Sequence, residues 1–426
     1  MNHKTLASVI VDRRDLIRTA ELVERHYDFE PNANYVLTGL RRAGKSMLMY
    51  HRVLELVSQG VDWSRIVYVD FEDERLSEFS ASDFNDILLV QRELSDAPGF
   101  FFLDEVQNVA GWEKFARRLA DARERVWITG SNAKMLSSEI ATTLGGRFLD
   151  RHVTPYRFDE YLRASSQVYD RDALLSTRER GRILGLFDRY LRFGGLPESL
   201  SFRSPQPYIE SVYQKVLLGD VAARAGVRNV QALRVLMKKV AETVRSDVSY
   251  STLHGMLKSV GFSVGKDTVI AYLDLAREAF LLFDIHNAVA KFAEREGSPK
   301  YYFSDNGLLG LFLQDRDTAL LENVVACALH DVYGDGLCYL KSAKTAVDID
   351  FYVPEASLAV QVAYSIAGEA RKREVGNLVR LAHANGGTDR LVIVTREEEE
   401  SLDVEDVHIE VVPAWRFLLE VARGAQ

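Results

Sequence analysis

Residues 39–46 read GLRRAGKS, and they follow the apolar run NYVLT at 34–38 without a spacer. Two glycines, then a lysine and a hydroxyl residue, leave the chain few conformations. Gly39 and Gly44 admit dihedrals that a side chain would obstruct. A backbone curling there aims successive N–H groups at one point, and a helix starting near Lys45 adds its positive end. This is the P-loop pattern, a cradle for a nucleotide's phosphates. The reading puts Gly39, Leu40, Arg41, Arg42, Ala43, Gly44, Lys45, Ser46 and Met47 around the nucleotide. Lys45 reaches the β- and γ-phosphates, and Ser46 ligates magnesium.

The surrounding runs supply the setting. RIVYVDF (65–71), GFFFLDE (99–105), RVWITGS (125–131) and HVTPYRF (152–158) join NYVLT as expected buried strands. Most are continuously apolar, as a parallel sheet covered on both faces requires. Between them, KSMLMYHRVLELVSQ and WEKFARRLADARE carry apolar residues at helical spacing. Alternation of this kind predicts a doubly wound α/β domain over about residues 1–160.

In FFFLDE (100–105) the strand delivers Asp104 and Glu105 at its carboxyl end, where the phosphates would sit. Asp104 is expected to hold magnesium. Glu105 is expected to orient and deprotonate the attacking water. The bland alternative is an acidic turn capping the next helix. At the end of the following run, Asn132 or Ser131 is a candidate for touching the γ-phosphate or the lytic water, and both also suit helix capping. Arg147, in TTLGGRF, is either an arginine finger on charge developing in the transition state or half of a surface salt bridge.

Beyond about residue 160 the pattern becomes helical, and SYSTLHGMLKSVGFSVGKDTVIAYLDLAREAFLLFDI (249–285) reads as helix, turn at Gly261, helix and strand. That is a helix-turn-helix or winged-helix layout. Lys258, Lys266 and Arg277 lie on or near its second helix, mixed with Asp267, Asp274 and Glu278. Such mixed charge favours a packing or protein-contact role over DNA. A third region follows, with strand candidates DIDFYV (348–353), LAVQVAYS (358–365) and RLVIVT (390–395). EEEE at 397–400 reads as a solvated loop.

Composition closes off other classes. The chain has 426 residues, 47% hydrophobic and 27% charged, enough for two or three ordinary globular domains. No apolar stretch approaches the roughly 20 residues of a membrane span, and the first residues lack the apolar centre of a secretory signal. Cys327 and Cys338 fit no metal spacing and are expected to be reduced thiols in a cytoplasmic protein. A net charge of −9 argues against broad wrapping of nucleic acid.

Taken in order, GLRRAGKS, FFFLDEVQNVAGWE, WITGSNAKML, LGGRF and PYRFDEYL resemble a widespread group of prokaryotic ATPases in the AAA superfamily. RYLRFGGLPESL (189–200), YYFSDNGLLG (301–310) and LLENVVACAL (320–329) extend the resemblance over nearly the whole chain. It implies an AAA-type ATPase domain (1–160), a helical and winged-helix region (161–298) and an α/β domain of restriction-endonuclease-like fold (299–426). ATP and magnesium are the implied cofactors, and ATP hydrolysis coupled to rearrangement of the C-terminal domains is the implied activity. A homo-oligomer and an unknown protein partner are compatible with it. A nucleotide-gated sensor or scaffold, and a DNA-binding protein controlled by ATP, are the alternatives. An active nuclease of that fold needs acidic metal ligands and a nearby lysine. Glu322 and Asp350 stand at acidic positions, but the acid–apolar–lysine segment reads Gln361, Val362, Ala363, so cleavage is not expected.

Overall fold

Four of the five expected N-terminal strands form where the apolar runs lie: β1 (Asn34–Thr38), β2 (Ile66–Asp70), β3 (Phe100–Asp104) and β4 (Arg125–Thr129). A computed structural model describes residues 3–130, 142–167, 169–170, 175–223, 226–313, 317–385 and 390–424. The chain divides into two compact units, Met1–Thr154 with Glu278–Phe280, and Pro155–Arg277 with Leu281–Gln426.

In the first unit the strand order is β2-β3-β4-β1-β5, all parallel. The fifth strand corrects the expected one. It is β5 (Phe148–His152), paired from Asn34↔Phe148 to Thr38↔His152, and not the run 152–158. As an edge strand with no buried residue it lacks an apolar signature, and Pro155 cannot donate to a ladder. Alternate residues face opposite sides. Val36, Val67, Val69, Phe101, Leu103, Val126 and Ile128 meet helices α1 (His3–Arg18), α3 (Phe84–Leu94) and α4 (Trp112–Asp121). Tyr35, Leu37, Ile66, Tyr68, Phe102 and Trp127 meet α2 (Lys45–Ser58) on the other side. Helices thus cover both faces, which explains why these strands tolerate so little polarity. The chain leaves β1 over one side and returns to β5 on the other, so a crevice opens at the carboxyl end of β1.

The second unit begins with helices, among them α5 (Thr177–Phe193), α6 (Gln206–Lys215), α7 (Val230–Thr243), α8 (Tyr250–Ser259) and α9 (Lys266–Glu278). Gly261, at φ 91°, makes the turn between α8 and α9. An eight-stranded sheet follows, ordered β12-β13-β11-β10-β9-β8-β6-β7. Its strands are β6 (Leu282–Asn287), β7 (Lys300–Phe303), β8 (Cys338–Ser342), β9 (Val347–Val353), β10 (Leu358–Val362), β11 (Arg390–Thr395), β12 (Glu400–Val404) and β13 (Val407–Pro413). Helices α10 (Asp317–Tyr333), α11 (Glu369–Asn385) and α12 (Ala414–Gly424) complete the unit. One sheet therefore takes in both the strand after the helix pair and the strands of the third region, joined by His286↔Cys338 and Asn287↔Tyr339.

The two motif segments FGGLP and SDNGL meet inside this unit. Asp305, fully buried, accepts the Gly195 N–H at 2.7 Å and the Gly307 N–H at 2.8 Å. A Cβ on Gly194 would lie 2.1 Å from the Asp305 carboxylate, so that position admits only glycine. The glutamates at 397–400 are more engaged than a solvated loop: Glu398 accepts the Ile366 N–H, and Arg371 grips Glu400 with two bonds of 2.8 Å. Among the described residues no helix is long and apolar enough to cross a membrane.

Candidate functional site

The site assembles at the carboxyl ends of β1, β4 and β3, which lie side by side. After Thr38 the backbone turns through Gly39 (φ 144°), Arg42 (φ 65°) and Gly44 (φ 97°). At Gly39 a Cβ would stand 2.1 Å from the Val153 carbonyl oxygen, so the loop closes against the end of β5 only with glycine there. Gly44 caps α2 from the left-handed region, and Lys45 begins the helix. Leu40 and Ala43 are buried beneath the loop, and Met47 is exposed. Arg41 pairs with Glu72 at 2.6 Å. Arg25 braces the loop from behind, donating to the Ala43 carbonyl at 3.0 Å and the Thr154 carbonyl at 2.9 Å. Lys45 donates to the carbonyls of Gly39 (2.9 Å) and Leu40 (3.0 Å), folded along the loop that it is expected to serve.

Asp104 ends β3 with 3% of its surface exposed. Its carboxylate accepts the Tyr68 hydroxyl at 2.7 Å and the Thr129 hydroxyl in a short bond. Burial pushes this carboxyl above the usual range, the charge of Asp70 adds to the shift, and the hydroxyls of Thr129, Tyr68 and Ser46 oppose it. A desolvated carboxylate beside a serine hydroxyl offers a hard cation two oxygen ligands of the kind magnesium takes. Asp70, one strand further, pairs with Arg13 of α1 at 2.7 Å, and Arg13 also donates to Tyr50.

Glu105 follows in the left-handed region (φ 50°, ψ 39°), an uncommon conformation for a residue with a side chain. Its N–H donates to the Thr129 hydroxyl at 2.9 Å, and Gln107 donates to its carboxylate.

The structure thus brings together Gly39–Met47, Asp104 and Glu105. Arg147 lies elsewhere. It precedes β5 at the amino edge of the sheet, its carbonyl accepting the Asn34 amide at 3.2 Å and its guanidinium paired with Asp121 of α4. The five residues of β1 separate it from the loop, a strand length of about 16 Å. Asn132 and Ser131 lie outside the described residues. Sequence reasoning missed Thr129, Tyr68 and Arg25. Thr129 carried a signal, since it is the polar residue closing an apolar run, just as Asp104 is. Arg25 carried none, because its targets are 18 and 129 residues away.

Comparison with known proteins agrees with this geometry. A family profile described as an AAA domain matches residues 31–162, and one described as a domain of unknown function (DUF8612) matches residues 184–319. Residues 31–162 are thus similar to an AAA domain, and the parallel sheet of the N-terminal unit is consistent with a P-loop ATPase fold. Protein MJ1544 of Methanocaldococcus jannaschii is 27% identical over 433 residues, spanning 96% of this chain and 94% of that protein. A Haemophilus influenzae protein is 27% identical over 392 residues, spanning 89% of this chain and 93% of its own. Among solved structures, the Walker-type ATPase paby2304 of Pyrococcus abyssi is 15% identical, covering 70% of this chain and 99% of that chain at a TM-score of 0.40. Cdc6p from Pyrobaculum aerophilum is 14% identical, covering 76% and 93% at 0.25.

Proposed function

We propose that the protein binds ATP with magnesium and hydrolyses it, and that turnover is coupled to rearrangement of the C-terminal domains. One observation carries the reading: the glycine loop that opens into α2 and the buried carboxylate Asp104 at the end of β3 lie at the same edge of the sheet, on either side of β4. These are the two halves of a nucleotide site, with Glu105 next in the chain. The preference for ATP rests on the match to the AAA domain.

On this reading the loop amides and the start of α2 hold the phosphates. Lys45 exchanges the carbonyls of Gly39 and Leu40 for phosphate oxygens. Ser46 and Asp104 would hold magnesium, which would supply charge neutralisation on the phosphates. Glu105 takes the proton of the attacking water. Thr129 fixes the backbone of that base and Gln107 steadies its carboxylate.

Phosphate release and nucleotide binding, measured on one set of variants, test this. Lys45→Ala should lose nucleotide binding. Glu105→Gln should keep ATP while turnover falls by about 10²–10⁴-fold, the usual worth of a positioned general base. Normal turnover in Glu105→Gln would favour a sensor that reads occupancy. Turnover raised by added duplex DNA would favour the DNA-coupled reading.

A further inference from the structure

Lys300 opens β7 with 3% of its surface exposed, a rare place for an ammonium. Its Nζ stands 3.5 Å from Asp350 Oδ1 on β9 and 4.0 Å from Glu322 Oε1 on α10. These are the two carboxylates that the nuclease-like reading would give to a metal. The other donors around them are already committed. The Tyr302 hydroxyl donates to Glu322 Oε1 at 2.9 Å, Arg245 Nε to Glu322 Oε2 at 3.2 Å, and the Val362 N–H to Asp350 Oδ2 at 3.0 Å. Each carboxylate oxygen therefore faces a donor. Gln361 is consumed too: its Oε1 accepts the Asp350 N–H and its Nε2 donates to the Asp348 carbonyl, both at 2.8 Å. Nearby Glu374 is paired with Arg373.

Charge and geometry decide what the centre holds. Two carboxylates, Glu322 and Asp350, face two cations, Lys300 and Arg245. Arg245 reaches Glu322 from a backbone in the left-handed region, at φ 89°, an uncommon conformation for a residue with a side chain. Magnesium would demand oxygens at about 2.0–2.1 Å in octahedral array, which requires expelling the donors. If Lys300 and Arg245 stayed in place, the ion would leave two excess positive charges in a largely buried site. Burial pulls the Lys300 ammonium down, but Asp350, Glu322 and Asp348 together outweigh it, so its hold on the proton exceeds that of an ordinary lysine.

We propose that Lys300 is the resident cation of this centre, taking the position between Glu322 and Asp350 that a divalent ion would need. It ties β7, α10 and β9 together without metal. The ammonium missing at Ala363 is thus present from another strand, but as a counter-ion rather than as a partner to a metal.

Manganese is the probe, used on the full chain without nucleotide and followed by water-proton relaxation and thermal melting. Binding at the P-loop does not depend on Asp350, so the comparison with Asp350→Asn isolates this centre. The parent should show no manganese signal that Asp350→Asn removes. Lys300→Met should melt lower, gain a manganese signal, and recover melting temperature when manganese is added. Adding Asp350→Asn to Lys300→Met should abolish that gain. An Asp350-dependent manganese signal in the parent overturns the proposal, as does a folded Lys300→Met protein that gains none. Magnesium-dependent plasmid nicking by the parent, lost in Asp350→Ala but kept in Lys45→Ala, overturns it as well. If Lys300→Met does not fold, the double variant, which removes one charge of each sign, should regain folding; failure to do so counts against the proposal.

Discussion

Thr129 spends one hydroxyl on two consecutive residues, accepting from the backbone of Glu105 and donating to the side chain of Asp104. It can do this because β4 lies between β1 and β3, so the last residue of β4 is the neighbour of both halves of the site. Thr129→Val keeps the shape and the β-branch but leaves the Glu105 N–H without its acceptor and Asp104 short of one donor. An orphaned buried polar group costs about 1–3 kcal/mol. The expected outcome is a stability loss of that order in denaturant melts, with kcat for phosphate release falling further than ATP affinity, because the left-handed turn at Glu105 is no longer pinned. Thr129→Ser restores both bonds and should restore kcat. Equal losses in kcat and affinity, unrelieved by serine, would make Thr129 a packing residue only.

At the scale of elements, what was legible in the sequence follows burial. Strands covered on both faces announced themselves as apolar runs, and the loop after β1 announced itself by its glycines. The edge strand β5 did not, since water on one side permits Asp150 and Arg151 within it. The helix pair at α8 and α9 was readable from its turn, while the use of its charges was not: Arg277 is spent on Asp284 of β6 at 2.8 Å. The segments FGGLP and SDNGL were visible only as a resemblance. The buried Asp305 that links them is a contact across 110 residues, beyond any local pattern. That contact predicts a pH response. Burial raises the Asp305 carboxyl to about 6, against the hydrogen bonds from Gly195, Gly307 and Leu308. A carboxyl whose folded pKa lies above its unfolded value contributes stability below about pH 4 and loses it as pH rises through about 6. The loss is about 3 kcal/mol, from 1.36 kcal/mol per pKa unit. Asp305→Asn, less stable at every pH for want of an acceptor, should show a shallower decline between pH 4 and 7 in urea unfolding. Parallel curves for parent and variant would show that Asp305 titrates normally.

For the whole molecule, the position of Arg147 limits how it can serve the proposed reaction. It stands at the amino edge of the parallel sheet, while the loop, Asp104 and Glu105 stand at the carboxyl edge. A side chain reaches about 7 Å, and a strand of five residues spans about 16 Å, so Arg147 cannot touch a nucleotide held by its own chain. If it is a finger, it acts on a neighbour's nucleotide and must first leave Asp121. Specific ATPase activity should then rise with protein concentration in step with an assembly seen by light scattering. Complementation gives the sharper test. Lys45→Ala lacks a working cradle but keeps Arg147; Arg147→Ala keeps the cradle but lacks the guanidinium. Each alone should be nearly inactive, and arginine fingers are worth about 10³–10⁵ in kcat where measured. Mixed, some interfaces pair an intact cradle with an intact arginine, and activity should reappear at a level that tracks the mixing ratio. No recovery in the mixture, with Arg147→Ala alone turning over at the parent rate, would leave the Asp121 ion pair as the whole role of this residue.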